Sequence, residues 1–486
     1  MKSRLKQIGK DSIVYGLGGI IAKGINFLLL PVYTRIFPPS EYGIIEMLTI
    51  LNGFLAMLLG MGMDSAQSFY FFEQKLNGQR AQSSVVTAIF QWRLTWGLVI
   101  VVCATLLSPL LNRFFFNGQL SWEYFAIAFA GSFFFQIMLQ SAELFRLLYN
   151  PWKFISITFS QTVIAAVVAL LLIIEFGYGI KGYFIGSLTG AFIAAISGWF
   201  LVKNFLDLGR WHREWWPRML KFGAPLVPAG LAMYILNTSD RWFVNYFAGP
   251  DALGIYAVGA KFAMFVTLAV TTFRQAWWPV AMDAMHSQEG PLLFRTIGRF
   301  YLGCGSIAVV MLTAVSPYLV RLLAAPNYYY AYPLVGVLSW YAVFYGFYLI
   351  GAGGIWKAEK TILTPLLMGF AAIMNILLDI VLVPKFGGMG AAAATSFSFA
   401  IWTILSVAVS ERLWKINYDY LILGIQVLIG VSATVAILYF YNTKTSSWSV
   451  AAITTGSCLL LVWTFFSHKN YALLIQKLKR KFSAVD

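Results

Sequence analysis

The chain has 486 residues, 59% of them hydrophobic and only 11% charged, with a formal net charge of +16. This balance lies far outside the soluble globular range and excludes a large water-soluble domain. At about 20 apolar residues per crossing, the length accommodates about a dozen or more membrane spans.

In chain order, the basic segment Met1 to Lys10 has no cleavage site after it, so the first apolar stretch is predicted to remain as a span. Apolar runs bounded by charged or Pro/Gly-rich gaps predict spans at 11–37, 42–72, 83–112, 121–147, 152–175 and 179–202. A second set follows at 222–248, 252–282, 294–323, 328–354, 361–383 and 388–410, and two more at 418–441 and 447–467. The expected fold is an all-α polytopic membrane protein of fourteen transmembrane helices. It comprises an N-terminal six-helix lobe (1–202), an interfacial linker (203–221), a second parallel six-helix lobe (222–410), and two extra helices with a basic tail (411–486).

With the N-terminus in the cytoplasm, 24 of the 35 Lys and Arg residues fall in inner segments and 6 in outer ones. The positive-inside rule therefore places both termini in the cytoplasm, and the net charge becomes a topology signal that needs no nucleic acid. The linker "KNFLDLGRWHREWWPRMLK" mixes Arg210, Arg213 and Arg218 with Trp211, Trp215 and Trp216, the composition of a segment lying among anionic headgroups.

The two lobes repeat. "PSEYGI" at 39–44 returns as "PDALGI" at 250–255, "SPLLNR" at 108–113 as "SPYLVR" at 316–321, and Asn26 falls on Asn237. Six helices separate the copies, so both run in the same direction, which implies a cavity between lobes and alternating access.

Intramembrane charge is costly and normally faces a bundle interior or a wet cavity. Five cations lie well inside the predicted spans: Lys23, Arg93, Arg241, Lys261 and Arg274. Sharing one cavity, they would form a cationic ladder suited to an anion, with Arg forks for phosphate and Lys as a movable point charge. Each taken singly has an alternative role as the partner of an acid such as Glu46, Asp64, Glu143, Asp240, Asp283 or Asp379. Asn26 and Asn237 are candidate hydrogen-bonding groups for a headgroup. Asp64, Asp240 and Asp379 are candidates for coupling to a proton or sodium gradient.

Pro225 and Pro228 interrupt the seventh span, and the tyrosines of "PNYYYAYP" (326–333) suit an interfacial belt. Cys103, Cys304 and Cys458 fall in apolar runs without paired spacing, which predicts packing roles and neither disulfide nor metal. His212, His286 and His468 form no catalytic spacing, and no Walker motif or cofactor motif is present, so the expectation is a transporter and not an enzyme.

"DSIVYGLGG", "LLLPVYTRIFPPSEYGIIE" and "MGMDSAQSFYFFE" resemble the Wzx-type oligosaccharide flippases, in the polysaccharide transport branch of the multidrug/oligosaccharidyl-lipid/polysaccharide exporter superfamily. The likeness is specific over residues 10–75 and extends along the chain through the repeat. It implies transfer of undecaprenyl-diphosphate-linked oligosaccharides across the bacterial cytoplasmic membrane, with the polymerase and glycosyltransferases of the same pathway as candidate partners. In the related lipid II flippases a cationic cavity receives the diphosphate, and helices after the twelve-helix core hold the lipid tail. The five intramembrane cations would be the equivalents by character. A multidrug exporter of the superfamily is the alternative, although its cationic substrates favour an acidic cavity. A membrane-embedded polymerase is a second alternative, opposed by the short outer loops. Because the repeat encloses a path within one chain, a monomer is expected.

Overall fold

The computed structural model describes residues 24–443 and 447–466, and Lys23 lies outside them. Among the described residues there is no strand. The helices are α1 (Leu30–Ile36), α2 (Pro39–Gly60), α3 (Met63–Glu73), α4 (Gln79–Leu106), α5 (Ser108–Phe116), α6 (Trp122–Leu147), α7 (Pro151–Ile174), α8 (Gly179–Val202) and α9 (Trp215–Gly223). They continue as α10 (Val227–Met285), α11 (Gly290–Leu323), α12 (Tyr332–Gly351), α13 (Gly353–Lys357), α14 (Leu363–Leu413), α15 (Tyr420–Asn442) and α16 (Ser447–Phe466). Eleven candidate spans are long and apolar enough to cross a membrane. Two of the long helices are broken internally by a glycine with non-helical backbone, α10 at Gly249 and α14 at Gly387.

Local chemistry sets many of the ends. Proline occupies the first turn of α1, α2, α5 and α7, where its missing N–H is no loss. Asn150 caps α7 by accepting the Lys153 amide at 3.3 Å. The expected continuous span at 42–72 is in fact two helices, because Met61 (φ 44°) and Gly62 (φ 71°) take left-handed conformations that no helix continues through. The span expected at 83–112 likewise breaks after Leu106, and the short 3₁₀ turn Ala224–Leu226 separates α9 from α10 beside Pro225 and Pro228.

The chain divides into two compact units, Met1–Thr238 with Gly249–Gly254, and Ser239–Ala248 with Ile255–Asp486. The core of the first joins Val86, Ile89 and Phe90 of α4 to Met138, Ala142 and Phe145 of α6, Ala194 and Ala195 of α8, and Trp215 and Met219 of α9. In the second, Val266, Val270 and Trp277 of α10 pack with Phe294 and Leu302 of α11, Val343 and Phe347 of α12, and Leu423 of α15. Val310 of α11 then meets Ala433 and Ile437 of α15 and Val450 of α16. Cys103 and Cys304 are exposed on helix surfaces, where packing was expected.

The repeated motifs meet within the first unit. A Cβ at Gly43 would run into the backbone carbonyl of Pro250, and one at Gly254 into that of Pro39. Each glycine of the "P-x-x-x-G" pair thus admits the proline of the other copy, and the close approach requires both. Gly43→Ala or Gly254→Ala should each destabilise the protein by about 1–3 kcal/mol, read as a lowered melting temperature of the purified protein. Equal effects at the two positions are expected from the reciprocal contact.

The linker is docked on the first unit, not merely laid on a headgroup layer. Ser84, Thr87, Ala88 and Gln91, on one face of α4, receive it in turn. Trp215 Nε1 donates to Ser84 Oγ (3.1 Å), the Asp207 amide to Thr87 Oγ1 (2.9 Å), Trp216 Nε1 to the Ala88 carbonyl (3.0 Å), and the His212 amide to Gln91 Oε1 (2.8 Å). His212 is buried between Asp207 and Glu214. The Glu214 carboxyl is held below the usual carboxylate range by a hydrogen bond from its own backbone amide, then by His212 and Arg210. Trp211 stays exposed, with the Arg213 guanidinium 5.2 Å over its ring.

Candidate functional site

The structure places the sequence-predicted charged residues in different surroundings. Arg93 is 2% exposed and committed. Its guanidinium forms an ion pair with Asp64 and donates to Gln136 Oε1 at 2.6 Å. Of the two roles the sequence offered Arg93, cavity cation or partner of an acid such as Asp64, the structure displays the second, with Asp64 itself part-exposed. Helix geometry explains the pairing: α3, α4 and α6 bring together polar groups distant in sequence that the apolar interior would otherwise strand. One helical turn further along α6, Gln140 donates to Gln67 of α3 and extends the polar seam.

In the second unit, Asp240 and Asp379 come together. Asp240, 2% exposed, accepts from the Tyr256 hydroxyl and from Thr395 Oγ1 at 3.3 Å, and pairs with Arg241 Nη1 at 3.2 Å. Arg241 also lies over the Tyr256 ring, 5.7 Å from its centroid. Asp379 is fully buried, neither of its carboxylate oxygens has a hydrogen-bond partner, and it lies within electrostatic reach of Asp240. One turn before it on α14, the buried Asn375 accepts from Ser239 Oγ at 2.8 Å. The break in α14 at Gly387 returns the chain so that Thr395 joins the cluster.

Two neighbouring carboxylates in an apolar interior repel each other and are each poorly solvated, so a proton or a hard cation between them is favourable. Carboxylate, amide and hydroxyl oxygens are the ligand set such a cation prefers. Sequence reading identified both acids but missed Ser239, Tyr256, Asn375 and Thr395. The available signal was Asn375 and Asp379 at i, i+4 in an otherwise apolar helix.

The other expected residues are more dispersed. Arg274 is exposed on α10 and donates to the Tyr345 hydroxyl at 3.4 Å, beside the aromatic group Tyr345, Tyr348, Phe399 and Trp402. Lys261 is half-buried on the same helix. Asn237 donates to the Met233 carbonyl of its own helix at 2.6 Å. Asn26 lines a small cavity of about 110 Å³ in the first unit, with Tyr33, Gln161, Thr162, Tyr183 and Ser187 among its walls. The two repeat-related asparagines therefore occupy unlike surroundings.

A second cavity, of about 550 Å³, is a trough in the second unit formed by Leu302 of α11, Phe344 and Phe347 of α12, Ile404 and Val407 of α14, and the Tyr420-to-Val431 stretch of α15. Its walls are hydrocarbon almost throughout. The one aliphatic hydroxyl, Thr403 Oγ1, is spent on the Phe344 and Phe399 carbonyls, both at 2.8 Å. Such a surface accepts an apolar chain and offers little to a polar solute.

Comparison with known proteins places these features in a family. The polysaccharide biosynthesis protein family matches residues 8–285. Lsg locus protein 1 of Haemophilus influenzae is 22% identical over 289 residues, spanning 58% of this chain and 68% of its own. The uncharacterized membrane protein MJ1068 of Methanocaldococcus jannaschii is 19% identical over 452 residues, 87% of this chain and 88% of its own. Among solved structures, the inward closed conformation of the lipid II flippase MurJ superposes with a TM-score of 0.71 at 17% identity, covering 95% of this chain and 100% of that one. An inward-facing MATE-family multidrug resistance transporter of the MOP superfamily gives a TM-score of 0.66 at 13% identity, covering 81% of this chain and 95% of its own. The fold is therefore that of MOP-superfamily transporters, and the chain belongs to the polysaccharide biosynthesis protein family.

Proposed function

We propose that this protein is a flippase that moves undecaprenyl-diphosphate-linked oligosaccharide units from the cytoplasmic to the outer leaflet of the bacterial cytoplasmic membrane, for assembly of O-antigen, capsule or exopolysaccharide. The observation that carries this reading is the apolar trough along α15. A lipid-linked substrate must keep its hydrocarbon chain in an apolar medium while its polar head crosses, and the trough supplies a protein surface for the chain. The family membership and the likeness to a lipid II flippase support it. Multidrug transporters share the fold, but the MATE-family structures cover 81–85% of this chain, against 95% for the flippase.

In this reading the chain crosses the membrane fourteen times, counting α10 and α14 as two spans each and adding the span expected from the sequence at 11–37, with both termini in the cytoplasm, and it acts as a monomer by alternating access. Lys23, Arg241, Lys261 and Arg274 form the cationic path for diphosphate and acidic sugars, with Asn26 and Asn237 as hydrogen-bonding groups, while Arg93 is left to the fold. Asp240 and Asp379 couple transport to a sodium or proton gradient.

Deletion of the gene in its native host tests the assignment. Lipid-linked oligosaccharide should accumulate on the inner face, beyond the reach of a probe confined to the outer face. Accumulation of unpolymerised units on the outer face would instead place the protein after flipping and make it part of the polymerase step.

A further inference from the structure

The small cavity beside Asn26 is polar although apolar helices surround it. Three helix faces build it: Asn26, Leu29 and Tyr33 in α1 and the turn leading into it, Gln161, Thr162, Ala165 and Ala169 on α7, and Tyr183 and Ser187 on α8. Spacings of three and four residues put each set on one side of its helix. The α7 and α8 helices come together through small residues, since a Cβ at Gly186 would meet Ala169 at 2.5 Å and one at Gly190 would meet Ala165 at 2.7 Å. Gln161 lies ten residues into α7 and Ser187 eight into α8, so both are about 12–15 Å from the helix start, near the middle of a hydrocarbon layer about 30 Å thick. A polar side chain at that depth is costly unless it is paired. Thr162 donates to the Thr158 carbonyl at 3.0 Å and to Gln161 Oε1 at 3.3 Å. Thr189 and Ser197 of α8 likewise donate to carbonyls four residues back, both at 2.8 Å. Ser187 makes no such bond, and among the described residues neither its hydroxyl nor the Gln161 amide nitrogen has a hydrogen-bond partner.

The lining narrows the ligand. None of the described residues around the cavity is charged, so neither a phosphate nor a metal cation finds a counter-charge among them. Amides and hydroxyls that both donate and accept stand there beside alanine methyls and the rings of Tyr33 and Tyr183, whose centroids are 5.5 Å apart at 74°. That mixture suits an uncharged group bearing hydroxyl or acetamido substituents. A volume of about 110 Å³ has room for about seven waters at ~15 Å³ each, enough for one edge of a sugar ring and too little for a disaccharide. We infer that this cavity is a sugar-binding site of the first unit, in which Gln161 and Ser187, with Asn26 and Thr162 beside them, hold the uncharged edge of one sugar of the lipid-linked glycan. That the sugar is lipid-linked rests on the flippase reading, and that it is uncharged rests on the cavity. The glycan thereby gains a contact of different chemistry from the cationic residues, which suit its diphosphate.

The test uses the full chain in phosphatidylcholine nanodiscs, with undecaprenyl diphosphate and undecaprenyl-diphosphate-linked N-acetylglucosamine as probes. The wild-type protein should bind the glycosylated probe at least tenfold more tightly than the bare diphosphate. Gln161→Leu combined with Ser187→Ala removes the polar atoms at nearly constant bulk, so it should erase that preference and leave the affinity for undecaprenyl diphosphate unchanged. Where the double variant fails to fold, Ser187→Ala alone decides, with an expected loss of at least threefold confined to the glycosylated probe. Equal wild-type affinity for the two probes, or an equal loss on both probes in Ser187→Ala, would each overturn the inference. So would a preference that survives the substitutions, which is what a cavity holding only structural water predicts. The readout is independent of the leaflet assay. Inner-face accumulation without the sugar-dependent preference refutes this site alone, and the preference without inner-face accumulation refutes the flippase reading alone.

Discussion

Asp379→Asn is expected to abolish gradient-driven transport while the protein still inserts and folds. The substitution keeps the side-chain volume and removes one of two buried acids in electrostatic reach of each other, so the fold should lose little while the proposed ion site loses a carboxylate. Asp379 is the member to change because its carboxylate oxygens have no hydrogen-bond partner, whereas Asp240 also serves Tyr256, Thr395 and Arg241. Export of glycan in the native host should fall at least tenfold. Purified wild-type protein should melt at a higher temperature in sodium than in potassium chloride if sodium is the ion, by about 2.7 kcal/mol of stabilisation at a hundredfold excess over its dissociation constant. Asp379→Asn should show no such sodium effect. A wild-type protein whose transport follows the pH gradient and whose melting ignores sodium would assign the site to a proton. Wild-type export by Asp379→Asn would remove the acid pair from the mechanism.

The second large effect should separate cations that serve transport from the one that serves the fold. The triple variant Lys23→Ala, Arg241→Ala, Arg274→Ala should insert normally and lose glycan export, and export at the wild-type level would rule out a cationic path. Because Arg241 pairs with Asp240, Arg274→Ala alone is the cleaner single substitution. Its guanidinium is exposed and its recorded contact is a long one to Tyr345. Arg93→Ala should behave differently. Removing one partner of a buried pair costs about 3–5 kcal/mol, and the lower end applies here because the Asp64 side chain is 41% exposed and can hydrate. Melting temperature should fall, and export should fall only in proportion to the folded protein. Adding Asp64→Ala to Arg93→Ala should recover part of the loss, since it removes the stranded charge.

Much of the architecture was legible because hydropathy acts locally. A run of about 20 apolar residues is a span whatever its neighbours do, and turns at Gly249 and Gly387 fall where the sequence placed gaps. The matched motifs 39–44 and 250–255 pack against each other, Gly43 on the Pro250 backbone and Gly254 on that of Pro39. Interruptions within spans were harder. Met61 and Gly62 sit in an apolar run, and only their left-handed backbone, with Gly62 packed against the Gly223 backbone, ends the helix there.

By itself, the sequence determined that this is an all-helical polytopic membrane protein, and that a few charged residues had to be accounted for inside it. Tertiary structure alone decided which partners Arg93 and Arg241 take. Arg93 and Arg241 are equally intramembrane in the sequence, yet one is locked to Asp64 from another helix and the other borders a buried acid pair. Two of the linker's three tryptophans, Trp215 and Trp216, read as membrane anchors, spend their indole N–H groups on α4. The trough takes walls from α11, α12, α14 and α15, none of which announces it alone. The reason is that hydropathy and period fix a helix and its depth, whereas partnership depends on the rotation of each helix about its axis and on which helix stands beside it. Those are set by packing between segments that the chain brings together only on folding.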